Sequence, residues 1–376
     1  MKRHIYADNA ATTKLDAEAF AAMKIWLLDE YANASQQYSF ARKPRAAIKQ
    51  AREIIAECIN AEPQEIFFTS GGTESDNWAI KSAVLANLNE RPHIITSAIE
   101  HKAILNSCAA MQNLGCTVTK LPVDARGVVS PDDLASSILP QTKIISVMTA
   151  NNEIGTIQPV KKLCEIAHEH GKIFHTDAVQ AVGHIPIDVK NLGVDMLSAS
   201  AHKFNAPKGV GFLYVRAGVK LFPYLDGGAQ EYGMRAGTEN VAAIVGMAVA
   251  LKKNISALET NQKHIIGLEK LFIRELEENN IPHVRNGAEP TLPGLISLSF
   301  DGKDGEKILH RMDLMGISIS TGSACDGNKN QISHVLKALN LSESLAKGTI
   351  RISLGKNNTL EDVRAIVTAL KKVLGD

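Results

Sequence analysis

Between residues 60 and 225, short apolar runs alternate with amphipathic stretches, and no other feature of the sequence constrains the fold as strongly. This spacing is typical of a parallel β-sheet whose crossover helices cover both faces. The runs that we interpret as strands are residues 65–69, 93–96, 117–121, 143–148, 173–175, 196–198 and 210–215, the last of them antiparallel. The sequence therefore predicts an α/β fold with a mainly parallel seven-stranded sheet between helices.

The rest of the chain follows a different pattern and predicts a second, smaller α+β domain. A chain of 376 residues is longer than one hydrophobic core usually spans. Residues 241–280 have a long helical pattern that suits a connecting helix. Beyond them, we expect strands and helices in a new alternation, with strands at 294–300, 317–319 and 349–354 and helices at 304–315 and 360–374. We predict a large domain at residues 15–258 and a small domain formed by residues 1–14 and 259–376.

Composition argues against several classes of protein. The 41 basic and 40 acidic side chains give a net charge of +1, and no long basic block occurs, so neither nucleic acid nor an acidic membrane is favoured as a partner. No apolar run approaches the length of a membrane span, and the amino-terminal residues lack the apolar core of a signal peptide. We therefore expect a cytoplasmic location.

The cysteines argue against a disulfide framework and against a structural zinc site, because they are scattered and none follows a C-x-x-C spacing. They are Cys58, Cys108, Cys116, Cys164 and Cys325. The first four lie in apolar or helical surroundings, where a buried and inert thiol is expected. Cys325 lies among small and turn-forming residues, where a thiol would be accessible. We predict no metal.

Several predicted strands of the main sheet end in polar clusters. These clusters are residues 69–73, 96–101, 149–153, 176–177 and 200–203. Ligands of open α/β sheets bind beyond the carboxyl ends of the strands. Any one cluster could be an ordinary loop, but five of them together predict a single site at this edge of the sheet.

Two of these clusters carry an acid and a lysine in an arrangement suited to pyridoxal phosphate. Asp177 and Lys203 each follow a strand-like run. A lysine can form a Schiff base with the cofactor's aldehyde, and an acid can keep the pyridine nitrogen protonated so that the ring withdraws electrons. Asp177 could equally be an ordinary helix cap, so the pair carries the inference and neither residue does so alone.

Other residues of the clusters fit the same cofactor. Gly71, Gly72 and Thr73 follow a strand and open a helix, which suits a phosphate, although a glycine turn with a threonine cap needs no ligand. Gln180 could reach the cofactor's phenolic oxygen. His101 could stack on a flat ring and move protons, although a lone histidine is more often structural.

Arg351 lies inside a strand-like run, where a charge is out of keeping. A substrate carboxylate would be a good reason to place a guanidinium there. The alternative is an edge strand that faces water.

With these residues in view, the chain resembles the cysteine desulfurases of the class V aminotransferase-like group of pyridoxal-phosphate enzymes, close to the NifS/IscS-type branch. The matching segments span nearly the whole chain in the order typical of the family. They are ADNAATT at 7–13, TSGGTESDN at 69–77, EHK at 100–102, NNEIG at 151–155, DAVQ at 177–180, AHK at 201–203, PKGVG at 207–211, RAGTEN at 235–240, SAC at 323–325 and IRISLG at 350–355.

The resemblance implies a fold of the type I pyridoxal-phosphate class and a role for each cofactor residue. Lys203 would form the Schiff base, Asp177 would contact the pyridine nitrogen, Gln180 the phenolic oxygen, and His101 would stack on the ring. The remaining cofactor contacts would be Gly72, Thr73, Asn152, Ser200, His202 and, from the other subunit of a homodimer, Thr238.

The resemblance also implies the chemistry. Asn152 and Arg351 would bind the carboxylate of L-cysteine. Cys325 would attack the substrate sulfur, so that alanine leaves and a persulfide remains for delivery to an acceptor protein such as an iron–sulfur scaffold. The chain departs from the family at Tyr38, Ala201 and Asp326, where histidine, glycine and a hydroxyl residue are more usual. The acidic Asp326 would disfavour the thiolate.

Two alternatives remain at this stage. One is a selenocysteine lyase or a related pyridoxal-phosphate lyase on the same scaffold, which would not need the thiol of Cys325. The other is a non-catalytic binding protein that has kept an old fold. Retention of Lys203, Asp177, His101 and Arg351 argues against the second alternative.

Overall fold

The computed structural model describes residues 4–85, 88–287, 289–321 and 332–375. In chain order, the strands are β1 (Ile5–Tyr6), β2 (Ile66–Thr69), β3 (His93–Ser97), β4 (Thr117–Leu121), β5 (Thr142–Ser146), β6 (Ile173–Asp177), β7 (Met196–Ser200), β8 (Gly211–Val215), β9 (Val284–Asn286), β10 (Leu295–Ser299), β11 (Ile317–Ser318) and β12 (Thr349–Ser353). The α-helices are α1 (Ala17–Leu28), α2 (Arg42–Cys58), α3 (Gly72–Leu85), α4 (Lys102–Gln112), α5 (Pro131–Ser137), α6 (Val160–Glu169), α7 (Val189–Leu192), α8 (Val241–Ser256), α9 (Leu258–Glu278), α10 (Gly305–Leu314), α11 (His334–Ala338), α12 (Glu343–Lys347) and α13 (Leu360–Gly375).

The main sheet confirms the predicted α/β fold. Its seven strands lie in the order β2-β8-β7-β6-β5-β3-β4. Strand β8 runs antiparallel to both of its neighbours, and the other neighbouring pairs are parallel. Because these strands are parallel, their carboxyl ends form one edge of the sheet, at which a ligand can bind.

Helices cover both faces of this sheet, as the near-continuous apolar strands predict. Successive strand residues point to opposite faces. Accordingly, Ile95 and Ile145 belong to a core cluster with α2, α6 and α8, whereas Ile94 and Ile144 belong to a second cluster with α3 and α4. The sheet is therefore buried on both sides, and its polar groups are concentrated at its edge.

A smaller sheet has the order β12-β10-β9 and is antiparallel throughout. Its core cluster draws apolar residues from α9, α10 and α13 and also includes Ile5 and Ala7 near the amino terminus. Strand β1 pairs in parallel with β11. The exact domain bounds given above stay a prediction.

The chain between the two sheets differs from the single connecting helix that the sequence suggested. Helices α8 and α9 are bent by 71° relative to one another. The break lies at Ala257 because α8 packs on α1 and α2, whereas α9 packs on α13. No single helix in the described part of the chain is long and apolar enough to cross a membrane, although α8 and α9 together would meet that test by length and composition.

Candidate active site

Residues from several strand ends meet at the carboxyl edge of the main sheet. Asp177 ends β6, Ser200 ends β7, and a 3₁₀ turn over Ala201–Lys203 follows directly. His101 caps the amino terminus of α4 and accepts a hydrogen bond from the backbone amide of Ala103 at its Nδ1 (3.2 Å). The short turn after β7 brings Lys203 back over the sheet edge toward Asp177.

The amine of Lys203 lies against the amino-terminal segment. Its Nζ donates to the carbonyl oxygens of Ala10 (2.7 Å) and Ala11 (2.9 Å). The side-chain amide of Gln180 donates to the same Ala10 oxygen (3.0 Å). The Nε2 of His184 lies 2.8 Å from the backbone carbonyl oxygen of Lys203, and this contact stabilises the turn.

Asp177 is a buried carboxylate surrounded by groups that favour its ionised form. Its Oδ1 accepts the backbone amide of Val179 (2.9 Å). The pKa of Asp177 is raised overall, because burial outweighs the lowering effects of His101, the Val179 amide, Lys203 and the side chain of Asp76. This acid can therefore hold or share a proton with a basic ring nitrogen placed against it.

The glycines form a cradle at the start of α3. Gly71 has a φ of +147°, which lies in the region open to glycine. A Cβ on Gly72 would lie 2.5 Å from Cγ2 of Val179, and one on Gly211 would lie 2.7 Å from Cα of Gly71. The backbone therefore packs too closely for larger residues. The first amides of a helix lack partners within the helix, so the start of α3 suits an anion.

Ser200 and His202 lie beside this cradle, and Thr73 is exposed at its edge. Nδ1 of His202 is 3.1 Å from Oγ1 of Thr12. Burial, with the charges of Lys203 and Lys208, lowers the pKa of His202 to about 4. His202 is therefore neutral near pH 7 and can take part in hydrogen bonds to a phosphate.

Arg351 lies in the middle of β12, which is an edge strand of the smaller sheet. The side chain is nevertheless buried, so the expected alternative of an edge strand that faces water is wrong at this position. Its Nη2 pairs with Oδ1 of Asp8 (2.7 Å), and its Nη1 donates to the backbone carbonyl of Asn152 (2.8 Å). Its Nε has no hydrogen-bond partner among the described residues. The guanidinium of Arg351, which belongs to the smaller sheet, is therefore held beside Asn152, a residue of the polar cluster that follows β5. Its Nε remains as a donor for a further acceptor.

One expected site residue, Thr238, lies apart from this group, and another cannot be placed. Thr238 is exposed and lines a cavity of about 180 Å³ together with Thr69, Ser70 and Arg235. Cys325 falls outside the described residues. The other expected residues are brought to one edge of the sheet.

The sequence reasoning missed a set of buried ionisable groups beneath Asp177. Asp76, Glu100 and His175 are at most 1% exposed. Burial raises the pKa of Glu100 to about 8 and lowers that of His175 to about 3. A signal was present, since Asp76 and His175 interrupt apolar faces of α3 and β6 just as Arg351 interrupts β12.

Comparisons with known proteins agree with this geometry. A family model described as class V aminotransferases matches residues 5–366. A cysteine desulfurase IscS from Dictyoglomus turgidum is 48% identical over 375 residues, covering 100% of this chain and 95% of the relative. A solved NifS-like protein superposes with a TM-score of 0.94 at 36% identity, covering 99% of this chain and 100% of the other. A structure described as SspA in complex with cysteine gives a TM-score of 0.84 at 38% identity, covering 94% and 100%.

Proposed function

This chain belongs to the class V aminotransferase family, as a cysteine desulfurase of the NifS/IscS type, and we propose that the residues gathered at the edge of its main sheet carry out that activity. It is a pyridoxal-phosphate-dependent enzyme that takes sulfur from L-cysteine. The relatives named as cysteine desulfurases favour this activity over a selenocysteine lyase.

The observation that carries the assignment of residues is the meeting of Lys203, Asp177 and the glycine cradle at one edge. A primary amine, a buried acid and a helix amino terminus are the three groups that an aldehyde, a pyridine nitrogen and a phosphate require. Lys203 would hold the cofactor, Asp177 its ring nitrogen and Gln180 its phenolic oxygen. The phosphate would be held by Gly72, Thr73, Ser200 and His202. When bound, the cofactor supplies the electron sink for the reaction.

Arg351 and Asn152 would hold the substrate's carboxylate, and Asn152 would also contact the cofactor. The unpartnered Nε of Arg351 supports this role, because it leaves a cationic donor for a second acceptor beside Asp8. His101, next to Asp177, would stack on the cofactor ring and move protons to and from the substrate.

Cys325, which lies outside the described residues, would take the sulfur. Its thiolate attacks the substrate sulfur, so an S–S bond forms while the Cβ–S bond breaks. The electron pair of the broken bond stays on the substrate carbon, which takes a proton, and alanine leaves. The persulfide on Cys325 is then available to an acceptor protein, and an iron–sulfur scaffold is the first candidate to test.

We further propose a homodimer in which Thr238 reaches the phosphate of the other subunit. Large apolar side chains are exposed on and after α1, including Phe20, Leu28 and Tyr31. Ser35, in the segment after α1, lies within 3.5 Å of a carboxylate oxygen of Glu239, which follows Thr238. A second copy of the chain would cover this apolar surface. A cytoplasmic location remains a prediction from the sequence.

The test uses the purified enzyme with its cofactor. Replacing Lys203 with alanine should remove both the visible absorbance of the cofactor and the release of sulfide from cysteine, because no amine is left to bind the aldehyde. Replacing Cys325 with serine should abolish sulfide release but keep the absorbance, because only the sulfur acceptor is lost.

Cys58→Ser provides the matched control. Cys58 is a partly buried thiol whose pKa is raised by burial to about 11, so it is not a thiolate near pH 7. Its replacement should leave sulfide release unchanged. Full turnover in Cys325→Ser, or an unchanged spectrum in Lys203→Ala, would contradict the proposed function.

A further inference from the structure

Behind Asp177 lies a second acid, Asp76, that the desulfurase chemistry described above does not use. Asp76 belongs to the first turns of α3, and its side chain is 1% exposed. A side-chain oxygen of Asp76, one of Asp177 and a ring nitrogen of His101 all lie within 4.8 Å of one another. Two carboxyl groups this close and this deeply buried cannot both be ionised at low cost.

Apart from the ring of His101, the described residues around Asp76 supply no compensating positive charge near pH 7. Within the described residues, the only basic side chain at ion-pair distance is His175, whose Nε2 lies 3.8 Å from Oδ1 of Asp76. His175 is neutral near pH 7, because burial lowers its pKa to about 3. Oδ1 of Asp76 has no hydrogen-bond partner among those residues. Burial and the charge of Asp177 raise the pKa of Asp76 well above its usual range, so it holds a proton.

Asp177 has the opposite surroundings. Lys203 contributes a positive charge, and the Val179 amide donates a hydrogen bond to its carboxylate. The proximity of the two acids raises the pKa of Asp76, while the side chain of Asp76 lowers that of Asp177. Asp76 is therefore the donor of the pair and Asp177 the acceptor.

The other elements that pack on α3 complete the electrostatic surroundings. The segment before α4 contributes Glu100 and His101, and α4 contributes Cys108, whose pKa is raised by burial to about 12. Strands β5 and β7 contribute hydroxyl groups, because the ring of His175 is 2.9 Å from Oγ of both Ser146 and Ser198. Ser198 also lowers the pKa of Asp76. Glu100, His175 and the two serine hydroxyl groups thus form a layer of neutral donors and acceptors beneath Asp177.

We propose that Asp76 is a positioning residue: its carboxyl group retains a proton and donates it in a hydrogen bond to Asp177, which thereby stays ionised against the cofactor's ring nitrogen. The inference rests on the proposed function, since Asp177 has this task only if the cofactor binds as described. Without the donor, Asp177 would become more basic and draw the proton away from the ring nitrogen. The positive charge on the ring would be lost, and the nitrogen that joins Lys203 to the cofactor would then protonate more easily.

The experiment measures the pH midpoint of the visible absorption band of the cofactor-loaded enzyme. Asp76→Leu has nearly the shape of aspartate but no donor, and its midpoint should rise by about one pH unit, the usual effect of losing a hydrogen bond to a charged group. Asp76→Asn keeps a neutral donor, and its midpoint should stay at the wild-type value. Asp195→Asn, which changes another buried acid of the same sheet, should lower stability without moving the midpoint.

Infrared difference spectra between wild type and Asp76→Asn give a second readout, which does not depend on Asp76→Leu folding. At neutral pH the wild type should show the carbonyl band of a protonated carboxyl group, and the variant should lack it. Absence of that band, an unshifted midpoint in a folded Asp76→Leu, or an equal shift in Asp76→Asn would each overturn the inference. A wild-type enzyme without the visible band would instead contradict the proposed function.

Discussion

The two sheets contribute side chains to the same candidate site in different ways. The seven-stranded sheet supplies its groups from strand ends, as with Asp177 and Ser200, whereas the three-stranded sheet supplies Arg351 from the middle of β12. At a strand end the backbone leaves the sheet, so a polar side chain can face the opening without disturbing the core. A charge in mid-strand must be compensated locally, and Asp8 and the carbonyl of Asn152 do so. The larger sheet therefore separates site from core, while the smaller sheet combines them.

The largest difference between the two sheets should appear when the charge in the middle of β12 is removed. In Arg351→Ala, kcat/KM for cysteine should fall by about 10²- to 10³-fold, because truncating one partner of a buried charged hydrogen bond costs several kcal/mol. The visible band of the cofactor should persist, because Lys203 and Asp177 belong to the other sheet. Steady-state kinetics and absorbance measure both effects.

Arg285 offers a matched control in β9 of the same small sheet, where it pairs with Glu269. Arg285→Ala should change kcat/KM by no more than about twofold, since a partly exposed ion pair outside the site contributes little. Equal losses in the two variants would mean that the small sheet acts through its stability and not through Arg351.

A smaller effect should come from the glycines that pack against backbone in each sheet. A Cβ on Gly211 would lie 2.4 Å from the carbonyl oxygen of Ala199, and one on Gly348 would lie 2.0 Å from that of Phe300. Overpacking of this kind costs about 1–3 kcal/mol, so Gly211→Ala should raise the cofactor concentration needed for half-reconstitution by about tenfold. Gly348→Ala should cost a similar free energy, which will appear as a lower melting temperature, but it should leave cofactor reconstitution unchanged. The opposite pattern would show that the small sheet also shapes the cofactor pocket.

The last expected effect, which concerns stability and not activity, comes from the acids beneath the larger sheet's edge. Burial disfavours the ionised form of Glu100 and raises its pKa from the ordinary value of 4.5 to about 8 in the folded protein. Between these two pH values the unfolded chain has released a proton that the folded chain keeps, so this residue lowers the free energy of unfolding as pH rises. Between about pH 5 and about pH 8, the free energy of unfolding of Glu100→Gln should decrease by about 2 kcal/mol less than that of wild type. Urea unfolding at both pH values measures the slope, and equal slopes would contradict the assignment.

The sequence predicted the parts of the site that follow a strand-end rule. Lys203, Asp177 and His101 each end an apolar run, and the runs themselves gave all seven strands of the main sheet. Strand β9 was not foreseen, because its three residues include Arg285 and Asn286 and show no alternating pattern. Local patterns carry little information about so short a strand.

The bend at Ala257 and the acids beneath Asp177 depend on tertiary contacts. Alanine favours a continuous helix, so nothing local marks the point where α8 and α9 part. Asp76 interrupts an apolar face of α3, but the sequence does not show that β6 packs against it. Its proton depends on the distance to Asp177 and on the neutrality of His175, and only the folded chain brings these groups together.

The amino-terminal segment also has a consequence for the order of events during synthesis. The backbone of Ala7 bonds to Ser318 and Ser353, and the carbonyl of Ala10 accepts the amine of Lys203. These early residues leave the ribosome first, yet their partners near positions 318 and 353 leave it among the last. Contacts over such sequence separations form late in folding. The amino-terminal segment that contacts Lys203 is therefore held in place only when nearly the entire polypeptide has been translated. We expect pyridoxal phosphate to bind after translation and not during it.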